Sequence, residues 1–138
     1  MITYNTINVA MPDISEAEVS AWIRQVAKSY CRVVGDINYI FVDDETILDI
    51  NRRFIGHDYY TDHIGFDYSQ DNALSGDIYI SLDTVKTNAE LYGVKMEEEL
   101  RRIIIHGLLH LCGLRDKTDE ERKQMQKAED KALSHLTR

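Results

Sequence analysis

The sequence predicts an α+β fold, a small mixed β-sheet of about four strands covered by helices, with residues 1–138 as a single domain. Three observations predict it. A chain of 138 residues has room for one core but not for two. Its 43% hydrophobic and 29% charged residues are globular proportions. Short segments of β-branched and aromatic residues are interleaved with helical periods, and the helices cluster late in the chain.

The elements follow in order. Met1 to Val9 alternates weakly through Ile2, Tyr4, Ile7 and Val9, as a first strand does. Ser15 starts a helix, with Glu18 three residues on as its capping-box partner. Val19, Trp22, Ile23 and Val26 form its apolar stripe, and Trp22 is expected as a core anchor. Gly35 is expected as a turn before the strand Ile37 to Val42. Asp43 or Asp44 then caps a second helix through Ile55, with Ile47, Leu48, Ile50 and Phe54 on its apolar side and Gly56 as its stop. His57 to His63 is a polar and aromatic loop. Ile64 to Tyr68 and Ile78 to Ser81 are two further strands, separated by the turn-like run Ser69 to Ala73. Leu82 to Leu91 is a short helix stopped at Gly93. Glu97 to Leu111 carries the strongest helical signal, because Glu97, Glu98 and Glu99 sit where the helix dipole favours negative charge. Thr118 to Leu136 is a last, highly charged helix with Thr118 and Glu121 as a capping box. Its alternating charges are those of a solvated, salt-bridged face.

Composition excludes several classes. Sixteen Lys and Arg against 24 Asp and Glu leave a net charge of −8, which argues against a global basic coat for nucleic acid but leaves room for a local basic site. One proline and seven glycines exclude a collagenous or low-complexity chain. Cys31 and Cys112 make neither a CxxC pair nor a disulfide framework, so reduced thiols and a cytoplasmic protein are expected. The first residues lack a basic flank followed by an apolar run, so no secretory signal is expected. No apolar stretch approaches the roughly 18 residues that a membrane span needs.

The chemistry is concentrated in the segment from Ile103 to Asp116. His106 and His110 stand four apart on the predicted helix, one turn above each other on one face, where two imidazoles can meet one metal ion. A zinc site of this kind needs a third protein ligand and a position left open. Gly113 can end the helix in the left-handed conformation, and the chain can then turn Asp116 back to the same ion. Cys112 lies about 200° around the helix from His110 and is expected in the core. Zinc proteases carry a general-base Glu directly after the first His, and here that residue is Gly107. The spacing otherwise matches the metzincin cage, so a metalloprotease stays as a weaker alternative to another metal-dependent hydrolase.

The run His106-Gly-Leu-Leu-His110-Leu-Cys-Gly113 resembles the H-G-x-L-H-L-x-G core of the YbeY family of rRNA maturation factors. Thr61-Asp62-His63-Ile64-Gly65-Phe66 is similar to that family's T-D-V-L-S-F segment, Gly76-Asp77-Ile78-Tyr79-Ile80-Ser81 to its G-D-I-x-I-S strand, and Asn51-Arg52 to its N-R pair. The resemblance runs in order from about Asp43 to Asp130. It implies a single α+β domain, one zinc ion on three side chains, and single-strand-specific endoribonuclease activity. It also implies processing of the 3′ end of small-subunit rRNA and ribosome quality control, with RNA, the small ribosomal subunit and its assembly factors as partners and no membrane. Three positions depart from the family. Asp116 stands where its third ligand is usually His, Ile55 where it commonly has a cleft-facing Arg, and His63 where it has an apolar residue. Arg52 or Arg53 is expected to supply the arginine instead. The expected site is therefore His106, His110 and Asp116 for zinc, with Arg52 and Arg53 as catalytic candidates. A non-catalytic assembly factor with a purely structural zinc is the remaining alternative.

Overall fold

The computed structural model describes residues 1–56 and 61–136. In chain order the elements are β1 (Ile2–Ile7), α1 (Glu16–Ser29), β2 (Val33–Val42), α2 (Asp44–Ile50), a π-helical turn (Asn51–Ile55), β3 (His63–Asp67), β4 (Ala73–Ser81), α3 (Leu82–Tyr92), α4 (Met96–Leu111) and α5 (Asp119–Ser134). The strands form one mixed sheet in the order β1-β2-β4-β3. β1 and β4 run parallel to β2, and β3 runs antiparallel to β4 at the edge. The α+β fold class and the four-stranded sheet are those expected.

Pleating sorts the side chains. Ile37, Tyr39 and Phe41 of β2 pair with Gly76, Ile78 and Ile80 of β4, so they share one face. That face meets α1, α4 and α5 in the main core, with Trp22, Ile23, Ile104, Leu108, Leu109 and Met125. A smaller cluster of Val42, Ile47, Ile50 and Ile64 holds α2 to the ends of β2 and β3. Trp22 is the anchor expected of it: its ring is buried and Nε1 donates to the Ala132 carbonyl at 2.8 Å, which ties α1 to α5. The Tyr39 hydroxyl, fully buried, donates to the Ile104 carbonyl at 3.1 Å and ties the sheet to α4.

The caps follow local chemistry. Ser15 accepts from the Glu18 amide and Asp43 from the Thr46 amide, so Asp43 is the cap of α2. Thr118 and Glu121 form the reciprocal box at α5. Asp44 serves another purpose: its carboxylate accepts from the Ser81 and Thr84 hydroxyls at 2.6 and 2.7 Å, joining the starts of α2 and α3.

Several expectations need correction. Gly35 is not a turn but lies inside β2, where the register shifts between Val34 and Ile37. β4 begins at Ala73 rather than Ile78, because its first half, Leu-Ser-Gly-Asp, is too polar to signal a strand. The turn-like run before it is closed by a bridge between Gln70 and Ala73. The second helix is α-helical only to Ile50, and its π-helical continuation leaves Phe54 68% exposed against the Phe66 ring instead of in the core. Residues 57–60 of the expected loop lie outside the described residues, and His63 opens β3 instead of ending that loop. Cys31 is exposed and Cys112 half-buried, both as free thiols. Among the described residues no helix is long and apolar enough to cross a membrane.

Candidate metal centre

α4 sits on the sheet through Ile104, Ile105, Leu108 and Leu109, which are fully buried. Gly107 lies at the closest approach to β4: a β-carbon there would stand 3.0 and 3.1 Å from Ile78 side-chain atoms. Position 107 therefore faces the sheet, and a side chain there would press on Ile78. The protease alternative lacks its base, and the position that would carry it is turned to the sheet. His106 and His110, which turn away from Ile104 and Leu108 toward the start of β3 and α5, are only partly buried.

The end of α4 turns the third residue toward them. Gly113 has φ +101°, open to glycine but strained for other residues. The Gly113 amide donates to the His110 carbonyl at 3.0 Å and the Leu114 amide to the Leu109 carbonyl at 3.1 Å, the paired bonds of a Schellman stop. The chain then reverses, and Asp116 Oδ2 comes to 3.2 Å from His106 Nε2 and 3.2 Å from His110 Nε2. The two Nε2 atoms are 3.0 Å apart. Arg122 of α5 braces this turn by donating to the Lys117 carbonyl at 2.9 Å and by its ion pair with Asp119.

The outward sides of the rings decide what the inward sides can do. His110 Nδ1 donates to the Leu114 carbonyl at 3.0 Å, and His106 Nδ1 donates to Glu129 Oε2 of α5 at 2.5 Å. With each ring's proton on Nδ1, both Nε2 atoms are lone-pair donors, and they face one another and a carboxylate oxygen. Three acceptors this close repel each other unless something positive lies among them. One extra proton on a single ring is divided between two neighbours, whereas a cation at the centre serves all three directly. The separations of 3.0, 3.2 and 3.2 Å also match the edge of a tetrahedron about a zinc ion, about 3.3 Å for bonds of about 2.0–2.1 Å. The donor set, two imidazoles and a carboxylate, suits zinc and other borderline divalent ions.

Without such a cation the two rings differ. Burial disfavours the charged form of His106, but its hydrogen bond to Glu129 and the charges of Glu129, Asp116 and Asp62 outweigh this and raise its pKa. Burial and the neighbouring His106 lower that of His110. Cys112, excluded as a ligand by its direction, packs against the core, and burial pushes its thiol up to about 11.

A third imidazole is present. His63, the first residue of β3, lies with its ring centroid 4.7 Å from His106 and 5.8 Å from His110. Its Nδ1 donates to Asp62 Oδ1 at 2.8 Å. Burial raises the Asp62 pKa, and the hydrogen bond and charge of His63 more than reverse this, leaving it below the usual carboxylate value.

Beside the centre, between α4 and α5, lies a cavity of about 770 Å³ that reaches His106, Asp116 and Asp62. Arg101, Arg102 and Arg122 line it. Arg102 is held by Glu129 and Asp130 at 2.8 and 2.7 Å. The expected arginines are elsewhere: Arg52 and Arg53 are exposed on the π-helical turn, Arg53 pairs with Asp49 at 3.1 Å, and neither lines this cavity. Glu129 is the residue that sequence reasoning missed. It lies 23 positions beyond His106 among many surface acids, and only its 7% exposure in the fold sets it apart.

A sequence model described as Endoribonuclease YbeY matches residues 5–137. A protein named Endoribonuclease YbeY from Bacteroides thetaiotaomicron is 55% identical over 96% of this chain and 97% of its own length. A Phocaeicola vulgatus protein of the same name is 52% identical over 99% of both chains. The solution structure of TM1509 from Thermotoga maritima is similar with a TM-score of 0.65 and 25% identity, covering 99% of this chain and 92% of that one.

Proposed function

The chain belongs to the YbeY endoribonuclease family, and from that premise we propose that it is a zinc-dependent, single-strand-specific endoribonuclease of rRNA maturation. In this reading it acts on the 3′ end of small-subunit rRNA and in ribosome quality control, in the cytoplasm. Residues 1–138 work as one metal-dependent hydrolase domain. The observation that carries the reading is the convergence of His106 Nε2, His110 Nε2 and Asp116 Oδ2, each ring tied outward so that its lone pair points in. These three side chains would hold the ion. The chemistry such an ion would supply is polarisation of a phosphoryl oxygen or a lowered pKa for a water molecule.

The chain's own groups do the rest. Glu129 and the Leu114 carbonyl keep the proton of each ring on Nδ1 and fix its direction. Asp116 adds a negative charge that a histidine would not, so an ion held here would be a weaker Lewis acid than one on three histidines. Arg52 and Arg53, outside the cavity, are the arginines that would bind phosphates through paired N–H donors, with Arg101 in the cavity lining as a further candidate. On a body of net charge −8, RNA is met at this local site, and the small ribosomal subunit with its assembly factors supplies the specificity.

The test is metal content and cleavage of single-stranded RNA by the wild type and by His110→Ala. The variant is expected to lose both the metal and the cleavage. Full cleavage by a metal-free variant overturns the catalytic reading. In the same assay Arg52→Ala and Arg53→Ala should weaken RNA binding without loss of metal, and unchanged kinetics for both remove them from the site.

A further inference from the structure

His63 is used by none of the roles described so far, yet it is wired as the two helical histidines are. His106 gives its Nδ1 proton to Glu129, His110 gives its own to the Leu114 carbonyl, and His63 gives its own to Asp62. A histidine that ligates a metal almost always donates its other ring N–H to a carboxylate or a carbonyl, which fixes the tautomer and makes the inward nitrogen a better donor. All three rings are also close enough to share one ion: one ligand atom from each of His63, His106 and His110 lies within 4.8 Å of the others. The tetrahedral edge for zinc is about 3.3 Å, so His63 would shift by up to about 1.5 Å to meet the two helical imidazoles, and it must also close on Asp116, which lies outside that group of three. Its place at the start of edge strand β3 and its 20% side-chain exposure leave the ring room to move that far.

We propose that His63 is a fourth protein ligand of the metal, joining His106, His110 and Asp116 and positioned by Asp62. The inference rests on the metal-centre reading above and deepens it. Four protein donors close the site, which is ordinarily the mark of a structural zinc. RNA hydrolysis here then requires either a fifth position or release of His63, the one ligand that does not come from α4 or the turn after it. The third imidazole also offsets the replacement of a histidine by Asp116, keeping the centre nitrogen-rich.

The experiment uses the zinc-loaded full chain, with X-ray absorption fine structure to count imidazoles and chelator competition to measure zinc affinity. Wild type, His63→Val and His110→Ala are compared. Valine suits a strand, and circular dichroism in excess chelator checks that each variant is folded. Three imidazoles are expected in the wild type and two in His63→Val, with zinc held at least about tenfold more weakly, no less than the loss of an outer-shell partner causes. Two imidazoles in the wild type overturn the proposal, whatever the variants do. So does wild-type affinity in His63→Val when His110→Ala has lost its zinc, and that outcome leaves the His106, His110 and Asp116 centre standing. If His110→Ala also keeps wild-type affinity, the centre itself is refuted and His63 with it.

Discussion

Helix α4 is packed along two seams of opposite character. Toward the sheet it presents Ile104, Ile105, Leu108 and Leu109, all fully buried, with Gly107 letting the helix settle against Ile78. Toward α5 it presents Arg102 and His106, which meet Glu129 and Asp130. The first seam is held by apolar area removed from water, which has little directionality. The second is held by a few directed bonds among charged groups, which contribute less net stability but fix where each atom points. Stability and chemistry are thus assigned to different sides of one helix.

Substitutions on each side should separate the two. The largest effect on stability is expected from Leu108→Ala, which empties a fully buried site on the apolar seam. It should cost about 2–5 kcal/mol in urea unfolding. Zinc affinity of the molecules that remain folded should be close to that of the wild type. Selective loss of zinc with little loss of stability contradicts the division.

Glu129→Gln attacks the other seam. It should weaken zinc binding by about 10–100-fold while leaving the fold intact, as read by chelator competition and circular dichroism. Its pH dependence sharpens the point. Burial opposes the charged form of His106, and Glu129 together with Asp116 and Asp62 outweighs it, so the folded pKa lies above 6.5. In excess chelator the stabilisation from this pair is therefore fully present below pH 6.5 and is lost as pH rises through the raised folded value. The gap in urea midpoint between wild type and Glu129→Gln should shrink accordingly. A gap that widens with pH reverses the sign and refutes the account. Zinc affinity runs the other way, rising with pH as the imidazoles lose their protons. The smallest effect is expected at the margin of the polar seam. Thr118→Ala removes one half of the α5 capping box and should cost about 1 kcal/mol in urea unfolding, with a smaller loss of zinc affinity than Glu129→Gln.

The two seams also differ in how far sequence reveals them. The apolar face of α4 is visible as a period of 3.6, and the pair His106 and His110 is legible because one turn of helix is a local relation. The stop at Gly113 and the return of Asp116 are legible for the same reason, since a glycine C-cap has one main conformational meaning. Glu129 is not legible, because nothing within α5 distinguishes it from Glu120, Glu121 or Asp130, and its partner lies on another helix. β4 shows the same limit in the sheet. Its Ser75, Gly76 and Asp77 are tolerated in a central strand because β2 and β3 on either side supply the pairing. Phe54 fits an α-helical period, but the residues around it form a π-turn that leaves its ring exposed.

The hydrogen bond from His106 to Glu129 reaches further than the orientation of one ring. It joins a site built on α4 to a helix that is otherwise docked through Trp22, Met125 and Ala132. The two equilibria, ion on or off and α5 seated or lifted, are then linked by one free energy and must be reciprocal. Whatever seats α5 more firmly tightens the grip on the ion by the same factor by which the ion seats α5.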